Sequence, residues 1–243
     1  MQLFFDFPAI PDYSFSSFVA CSGNHSALEF VKRVMNPDSG ENLLYLHGAS
    51  GSGKTHLLSA VSRELSDTST NAPPPVIPVE LITVGNCEEF ISLASPQPCL
   101  LLDNLHLLHD SSTLRSAIWQ LFNDFYESGR KIIAAATLPP KELHSLDDHL
   151  KSRFMWGLVA KLDISDDASR RMIMRKLADD SQLTLPDDVI DYLLIRLPRD
   201  IPSLAEAVEL LKQQSFATQK KISLRLAKEA FQSRALDPSA YFS

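Results

Sequence analysis

Short apolar runs alternate with longer amphipathic stretches over the first two thirds of the chain. The runs are NLLYLH (42–47), PVELITV (78–84), CLLLD (99–103), KIIAAA (131–136) and GLVAKL (157–162). Their length and apolar content indicate buried strands, and the stretches HLLSAVSREL, NCEEFISLA and STLRSAIWQLFNDFYESG between them indicate helices. Strands that alternate with helices predict an α/β fold with a parallel five-stranded sheet covered on both faces.

The pattern changes after about residue 163, where only helical stretches follow. Their apolar residues recur at three- and four-residue spacing. Acidic residues or a proline stand at the N-terminal ends of the first two helical stretches. The stretches are DDASRRMIMRKLADDSQ, PDDVIDYLLIRL, IPSLAEAVELLKQQSFATQ and SLRLAKEAFQSR. We therefore expect an α/β domain over 9–163 and a small all-α domain over 164–243. SDTSTNAPPPVIP (66–78) and MNPDSGEN (35–42) are rich in turn-forming residues and predict loops.

Charge and cysteine content narrow the class of protein. The net charge of the 243 residues is −7, so we expect at most weak direct DNA binding that is lost as salt rises. Cys21, Cys87 and Cys99 are odd in number and lack metal-ligand spacing, which indicates reduced thiols. With neither a signal peptide nor a run long enough for a membrane span, we expect a cytoplasmic protein without a membrane partner.

The segment GASGSGKT (48–55) follows the NLLYLH strand directly and opens a helical stretch. It fits the phosphate-binding loop G-x-x-x-x-G-K-[ST], in which glycines let backbone N–H groups point at phosphate oxygens. Lys54 is expected to reach the β- and γ-phosphates of ADP or ATP, and the Thr55 hydroxyl to bind Mg²⁺. A flexible Gly/Ser loop is the alternative. The loop residues predicted to bind the nucleotide are Gly48, Gly51, Ser52, Gly53, Lys54 and Thr55.

The CLLLD run supplies a carboxylate at the end of a neighbouring strand. Asp103 is expected to hold Mg²⁺ through its water shell. Asn104 follows, where many ATPases place a second carboxylate; an amide accepts a hydrogen bond but takes no proton at neutral pH. The sequence thus predicts nucleotide binding with weak or no intrinsic ATPase activity. His106 and His109 lack partners at metal-ligand spacing and are interpreted as ordinary histidines.

Several stretches together resemble the DnaA/Hda family of bacterial replication initiators and their short paralogues. The resemblance covers nearly the whole chain, and the stretches are YSFSSFVACSGNHSAL, GASGSGKTHLL, LLLDNLHLL, FNDFYESGRKIIAAATLPPKEL and LKSRFMWGLVAKL. The resemblance implies an AAA+ P-loop NTPase fold with a small all-α lid. It also implies that Phe18, Val19 and Asn24 help to enclose the nucleotide base, and that His56 belongs to the nucleotide site.

The resemblance implies a role in trans for Arg153, in the stretch LKSRF. A lone arginine is usually part of a surface ion pair. In this family, however, the matching position carries an arginine finger, so Arg153 is expected to act on the nucleotide of a full-length DnaA initiator. We expect no origin-reading domain after the helical pattern, a layout similar to that of the short regulators. A homo-oligomer is a further possibility.

The N-terminal stretch MQLFFDF (1–7) is rich in apolar residues. Gln2, Leu3, Phe5 and Phe7 match the spacing of the family's peptide for the DNA polymerase sliding clamp (beta subunit). The resemblance therefore implies that residues 1–8 dock in a hydrophobic pocket of the clamp. Self-burial against the N-terminal domain is the alternative.

Some positions depart from the family's pattern. Cys21 and Gly23 stand where the N-terminal segment usually has Gly and Ser, which weakens the expectation of base contacts. Thr137 replaces an acidic residue at a strand end, and Pro202 replaces a nucleotide-sensing arginine for which Arg199 is a poor substitute. We expect the phosphate cradle to be intact and γ-phosphate sensing to be reduced.

Two functions of other classes stay open at this point. One is an autonomous AAA+ ATPase, similar to a helicase loader, whose own turnover depends on Lys54. The other is a clamp-bound adaptor with a vestigial nucleotide site, for which Arg153 would be dispensable.

Overall fold

A computed structural model of the chain describes residues 13–67 and 73–235. The clamp-peptide residues Gln2, Leu3, Phe5 and Phe7 lie outside this part. The strands form one sheet and are β1 (Leu43–His47), β2 (Val76–Pro78), β3 (Cys99–Asp103), β4 (Lys131–Ala136) and β5 (Leu158–Lys161). The order across the sheet is β2-β3-β4-β1-β5 and every pairing is parallel. The predicted parallel five-stranded sheet is confirmed.

Helices cover both faces of the sheet and build the region that follows it. The helices of the α/β part are α1 (His25–Met35), α2 (Lys54–Asp67), α3 (Cys87–Ala94), α4 (Ser112–Glu127) and α5 (Asp148–Phe154). Those of the helical part are α6 (Asp167–Asp180), α7 (Asp187–Arg196), α8 (Ile201–Thr218) and α9 (Leu224–Ala235). None of the helices in the described ranges is long and apolar enough to cross a membrane.

The sheet separates two apolar cores. Successive side chains of a strand point to opposite faces, so in β1 Leu43 and Tyr45 enter the core under α3, α4 and α5. Leu44 and Leu46 enter the other core, under α1 and α2. Burial on both faces is the reason that the strands appear in the sequence as continuous apolar runs rather than as alternating patterns.

The predicted strand PVELITV (78–84) is wrong in its position. β2 ends at Pro78, and Val79–Leu81 form a short 3-10 helix. Pro78 lies opposite Asp103, the last residue of β3, so the residues beyond it have no strand to pair with. Val79 and Ile82 are nevertheless buried in the core under α3 and α4. Their burial produced the apolar pattern, which reports exclusion from water and not strand pairing.

The sequence analysis assigned no helix to the segments that form α1 and α5. In α1 the buried residues Ala27, Leu28, Val31 and Val34 follow helical spacing, but polar neighbours and the glycine before them obscure the start. α5 has only seven residues, which is too short for a periodic signal. It carries Arg153 in its last turn, so this arginine lies on a helix rather than between two elements.

The four predicted helices after the sheet are confirmed and share a separate core. Acidic residues cap two of them: the carboxylates of Asp166 and Asp200 accept the backbone N–H of Ser169 and Ser203, each at 2.8 Å. Such caps satisfy amide donors that a helix start leaves unpaired. The side chain of Cys21, from the segment ahead of α1, is buried in this helical core. The N-terminal segment therefore links the helical lid to the α/β part.

Candidate nucleotide site and the arginine cluster

The predicted phosphate-binding loop lies at the carboxyl end of β1 and leads directly into α2. Gly51 and Gly53 have φ angles of +68° and +100°, a region in which residues with a Cβ are strained. Ser52 and Lys54 are buried, whereas Thr55 is exposed. The loop thus has the backbone conformation that glycines permit, at the edge of the sheet where ligands of parallel α/β folds bind.

The side chain of Lys54 lies inside the loop. Its Nζ donates hydrogen bonds to the carbonyl oxygens of Gly48 at 2.7 Å and Ala49 at 2.8 Å. Burial lowers the pKa of the Lys54 amine, and the negative charge of Asp103 opposes this shift. A buried ammonium group is stable only with anionic or hydrogen-bonding partners. Phosphate oxygens would be stronger partners than the two carbonyls, so this residue fits a bound nucleotide.

Thr55 and Asp103 meet beside the loop. The Thr55 hydroxyl donates a hydrogen bond to Oδ2 of Asp103 at 2.6 Å, and the carboxylate is almost fully buried. Mg²⁺ binds oxygen ligands with octahedral geometry and keeps several of its waters in nucleotide sites. A hydroxyl and a carboxylate placed together in this way fit such an ion, and a role of Asp103 through the ion's water shell stays a prediction.

Asn104 contacts a carboxylate that the sequence analysis did not find. Its backbone has left-handed geometry, with φ of 57°, and its backbone N–H donates to Oδ1 of Asp103 at 2.8 Å. Its side-chain nitrogen donates to Oε1 of Glu80 at 2.8 Å. Glu80 was missed because it fell inside the wrongly placed strand, where an acidic residue carries no signal for a site.

The residues predicted to enclose the nucleotide base lie in the segment between Tyr13 and α1. The Phe18 ring meets the His56 ring edge-on at 5.3 Å, and the Tyr13 ring lies 5.1 Å from the same histidine. Asn24 is buried, and its side chain bonds the backbone of its own segment, accepting from the Cys21 N–H and donating to the Val19 carbonyl. Asn24 therefore stabilises the conformation of the segment ahead of α1. The rings of Tyr13 and Phe18 lie against His56, next to the phosphate-binding loop.

Gly23 has a structural role that explains its departure from the family's pattern. The backbone N–H of Asp163 donates to the carbonyl of Gly23 at 2.8 Å. A Cβ at Gly23 would lie 1.5 Å from the Asp163 carbonyl oxygen, which no neighbouring side chain could relieve because the obstacle is backbone. A serine is incompatible with this contact, so glycine is needed for the approach of the N-terminal segment to the end of the sheet.

The lid touches the phosphate-binding loop through the start of α8. The Ile201 N–H donates to the Gly51 carbonyl at 3.0 Å, and a Cβ at Gly51 would lie 2.8 Å from Cδ of Pro202. Pro202, where the family has an arginine, thus packs on the loop. The Arg199 guanidinium instead bonds the Ser165 carbonyl and lies 3.2 Å from Asp167. The contact of Ile201 and Pro202 with Gly51 joins residues far apart in the chain, and no pattern in the sequence predicts it.

Arg153 lies in a cluster of neutral side chains. Its Nη1 donates to Oδ1 of Asn123 at 2.8 Å, and its guanidinium carbon lies 4.8 Å from the ring centroids of both Trp119 and Trp156. Trp156 is 58% exposed. Among the described residues, no carboxylate lies within ion-pair distance of the Arg153 guanidinium, whereas the nearby Lys151 is paired with Asp148. The positive charge is therefore held in place but not neutralised.

Comparison with known proteins places the chain in a family. Residues 10–161 match the model of the bacterial DnaA ATPase domain, and residues 166–231 match the model of the Hda lid domain. A replication initiator DnaA bound to AMPPCP and single-stranded DNA is similar in structure, with a TM-score of 0.74, 27% identity, and coverage of 86% of this chain and 67% of that one.

Two further solved structures are similar over more of this chain. Domain III of the Thermotoga maritima replication initiation protein DnaA has a TM-score of 0.75 and 25% identity, covering 93% of this chain and 98% of that one. AMPPCP-bound DnaA from Aquifex aeolicus has a TM-score of 0.77 and 24% identity, covering 96% and 73%. The last of these likenesses supports the fold alone. With an ATPase-domain match over more than half of its length and a matching lid, the chain belongs to the DnaA/Hda family of AAA+ proteins.

Proposed function

We propose that this chain regulates chromosomal replication initiation by promoting ATP hydrolysis on a full-length DnaA initiator, to which it supplies Arg153 in trans. The observation that carries the proposal is the Arg153 cluster. A guanidinium anchored by Asn123 and two indole rings, with no carboxylate of residues 13–67 or 73–235 to neutralise it, is suited to an anion on another molecule.

The proposed step on the initiator is stabilisation of charge. During phosphoryl transfer, negative charge is spread over the equatorial oxygens of the transferred group. A planar guanidinium with several donors can bond two of these oxygens at once. An arginine finger supplied in trans raises the rate of nucleotide hydrolysis by about 10³- to 10⁵-fold. Asn123, Trp119 and Trp156 would keep the guanidinium of Arg153 in a position from which it reaches the partner.

The chain's own site is proposed to bind ADP or ATP with Mg²⁺. Support comes from the buried Lys54 amine, from the contact between Thr55 and Asp103, and from the family to which the chain belongs. Because the lid packs on the loop through Ile201 and Pro202, a nucleotide held there would order the two domains relative to each other. Arg153 would then be presented in one orientation.

The proposed link to DNA that has been replicated is the sliding clamp. The N-terminal pattern of Gln2, Leu3, Phe5 and Phe7 matches the clamp-binding spacing. Tethering raises the effective concentration of one protein near another without adding catalytic contacts. Binding to the clamp would therefore confine this chain's encounter with the initiator to sites where a clamp is loaded on DNA.

The test follows radiolabelled ATP bound to the cognate full-length initiator. It is incubated with this protein and DNA-loaded clamp, beside Arg153→Ala and a triple alanine variant at Gln2, Phe5 and Phe7. Arg175→Ala is the matched control, because Arg175 is an exposed arginine paired with Asp187 on the lid surface. We expect hydrolysis to be accelerated by wild type and by the control, and by neither of the other two.

The two variants separate the parts of the proposal. Loss of acceleration in Arg153→Ala with clamp binding intact supports the finger. Loss in the triple variant that excess protein restores supports tethering. A wild-type protein that binds the clamp but leaves the initiator's hydrolysis unchanged would refute the regulatory function.

A further inference from the structure

Two strand ends bring a carboxylate and an amide together at the nucleotide edge of the sheet. β2 and β3 are parallel neighbours with Pro78 opposite Asp103. Asn104 follows Asp103 directly and Glu80 lies two residues after Pro78, and the side chains of Glu80 and Asn104 meet at 2.8 Å. The same Asp103 accepts the hydroxyl of Thr55 at 2.6 Å. Glu80, Asn104, Asp103 and the end of the phosphate-binding loop are thus connected by consecutive hydrogen bonds.

The contact with Glu80 determines how the Asn104 amide is oriented. An ionised carboxylate only accepts hydrogen bonds, so the side-chain nitrogen of Asn104 must face it. The amide oxygen is consequently directed away from Glu80. The backbone N–H of Asn104 donates to Asp103 at 2.8 Å, which holds the amide beside the carboxylate proposed to carry Mg²⁺. An acceptor of fixed direction is what an attacking water requires.

Two polar atoms near this pair are shielded from solvent. Among the described residues, Oε2 of Glu80 and Nδ1 of His106 are buried and have no hydrogen-bond partner. Burial lowers the pKa of His106, as does the charge of Lys54, whereas Glu80 and Asp103 raise it. The four groups therefore interact electrostatically. Buried polar atoms of this kind are usually satisfied by ordered water, so the surroundings of the pair suit a bound water molecule.

We propose that Glu80 is a positioning residue for ATP hydrolysis in this chain's own site, holding Asn104 so that the amide oxygen orients the attacking water. The proposal rests on nucleotide binding at the phosphate-binding loop and is independent of Arg153 and the initiator. The water oxygen forms a bond to the γ-phosphorus while the bond to the bridging oxygen breaks. ADP leaves, and the water's proton passes to the phosphate product.

An amide is sufficient for this step because the transition state is loose. Little bonding to the nucleophile has formed when the γ-phosphoryl group departs, so orientation of the water matters more than removal of its proton. Asn104 thus supports slow turnover. Its replacement of a carboxylate does not abolish hydrolysis.

The experiment measures ATP turnover by the purified chain alone, without initiator or clamp. Wild type is compared with Glu80→Ala, Glu80→Gln and Asn104→Ala, and Lys54→Ala provides the background. Glu89→Ala is the matched control, since Glu89 is an exposed carboxylate on α3. The affinity for fluorescent ADP and ATP analogues is measured for every variant, which separates binding from turnover.

We expect the turnover of Glu80→Ala and Asn104→Ala to fall about tenfold or more, since displacement of a reacting group by about 1 Å costs up to 10²-fold. Nucleotide affinity should not change, and Glu89→Ala should match wild type. Glu80→Gln should be intermediate because glutamine offers both an acceptor and a donor to Asn104, so the amide is no longer held in one orientation.

Exchanging the carboxylate and the amide between positions 80 and 104 gives a result that a merely structural role of Glu80 would not. Asn104→Asp alone places two carboxylates opposite each other and should reduce turnover. Combined with Glu80→Gln, it restores one carboxylate and one amide, and turnover should return to the wild-type rate or exceed it. Wild-type turnover equal to that of Lys54→Ala, or unchanged turnover in Glu80→Ala, would overturn the proposal. Absence of nucleotide binding in wild type would instead refute the nucleotide site itself.

Discussion

Arg153 in the α/β domain and Arg170 in the lid have opposite surroundings. Arg170 is fully buried, and its guanidinium donates to the backbone carbonyls of Leu194, Leu197 and Pro198 at 2.9 to 3.1 Å. It also lies 3.2 Å from a carboxylate oxygen of Asp167. Arg153 is partly exposed, and in the part of the chain that the structure describes its guanidinium contacts neutral groups, an amide and two indole rings.

The difference shows which arginine can serve another molecule. The Nη1 and Nη2 groups of Arg170 hold the end of α7 and the turn that leads to α8, so its charge is committed to the fold. Arg153 keeps a charge that no carboxylate of the described chain offsets, and an arginine in that state binds phosphate well. Partners, rather than residue type, separate the structural arginine from the one that is proposed to act on another molecule.

The largest effect is expected from Arg153→Ala in the assay of the initiator's ATP hydrolysis. Removing a finger that acts in trans should reduce the accelerated rate by about 10³- to 10⁵-fold. The free energy of unfolding should change little, because the Arg153 side chain is partly exposed to solvent. Arg153→Lys keeps the charge but not the planar fork, and should recover only a small part of the rate. An Arg153→Ala protein that stimulates hydrolysis normally would erase the contrast with Arg170.

Arg170→Met should have the reverse effect, a large loss of stability. Three backbone carbonyls lose a donor, that of Leu194 in a buried contact and those of Leu197 and Pro198 in partly buried ones, and an unsatisfied buried group costs about 1 to 3 kcal/mol. We expect the free energy of unfolding to fall by about 3 kcal/mol. Urea denaturation followed by far-UV circular dichroism measures it. Arg175→Met, at an exposed arginine of the same helix, is the control and should be nearly neutral. Equal midpoints for the two variants would contradict the structural role.

Asn123→Ala sharpens the comparison, because it removes the anchor of Arg153 and leaves the arginine itself. The guanidinium would keep its stacking on Trp119 and Trp156 but lose its hydrogen bond. We expect the accelerated hydrolysis to fall about tenfold, in line with the cost of a displaced catalytic group. Protein concentration for half-maximal effect and maximal rate are measured separately. Asn86→Ala, at the exposed start of α3, should leave both unchanged.

The smallest expected effect is a pH dependence confined to the α/β domain, since all seven histidines precede residue 164. Burial lowers the pKa of His47, with Lys161 and Lys54 acting in the same direction and Glu142 opposing them. Burial and Lys54 likewise lower the pKa of His106, against Glu80 and Asp103. A histidine whose pKa is lowered by folding takes up a proton more readily when unfolded. Its contribution to stability is therefore complete above a pH of about 6.5 and is lost as the pH falls.

Trp119 and Trp156 both lie in the α/β domain, so tryptophan fluorescence reports the unfolding of this domain separately from that of the lid. The urea midpoint by fluorescence should fall between pH 7.5 and 5.5, where carboxylates stay ionised. His47→Asn should reduce the dependence, whereas His25→Asn, at an exposed histidine at the start of α1, should not. A midpoint independent of pH would show that neither of these two half-buried histidines, His47 and His106, resists protonation.

Features formed by neighbouring residues in the chain could be predicted. The phosphate-binding loop was found because its glycines, Lys54 and Thr55 lie within one short motif with a strand before it and a helix after it. The strands were found because burial on both sides of a sheet gives continuous apolar runs. Prediction failed at 78–84, where Val79 is buried in a 3-10 helix and Ile82 is buried directly after that helix, so both are apolar without belonging to a strand.

Contacts between distant segments could not be predicted. Ile201 donates to Gly51 across 150 residues of sequence, and Asn104 to Glu80 across 24. Neither pair leaves a periodic signal, since an asparagine after a strand or a proline at a helix start is common in any fold. The neighbours of Arg153 come from α4 and from the residues after α5, which packing alone brings together.

The sequence by itself determined that this protein has a P-loop α/β domain, an all-α lid and the motifs of the DnaA/Hda family. Those features follow from local spacing, because backbone geometry places residues a few positions apart at known distances. Only the tertiary structure decided that Pro202 packs on the loop, that Arg153 stands between two tryptophans, and that Glu80 holds Asn104. These relations depend on where strands end and how helices pack. They are therefore determined by the free energy of the whole chain.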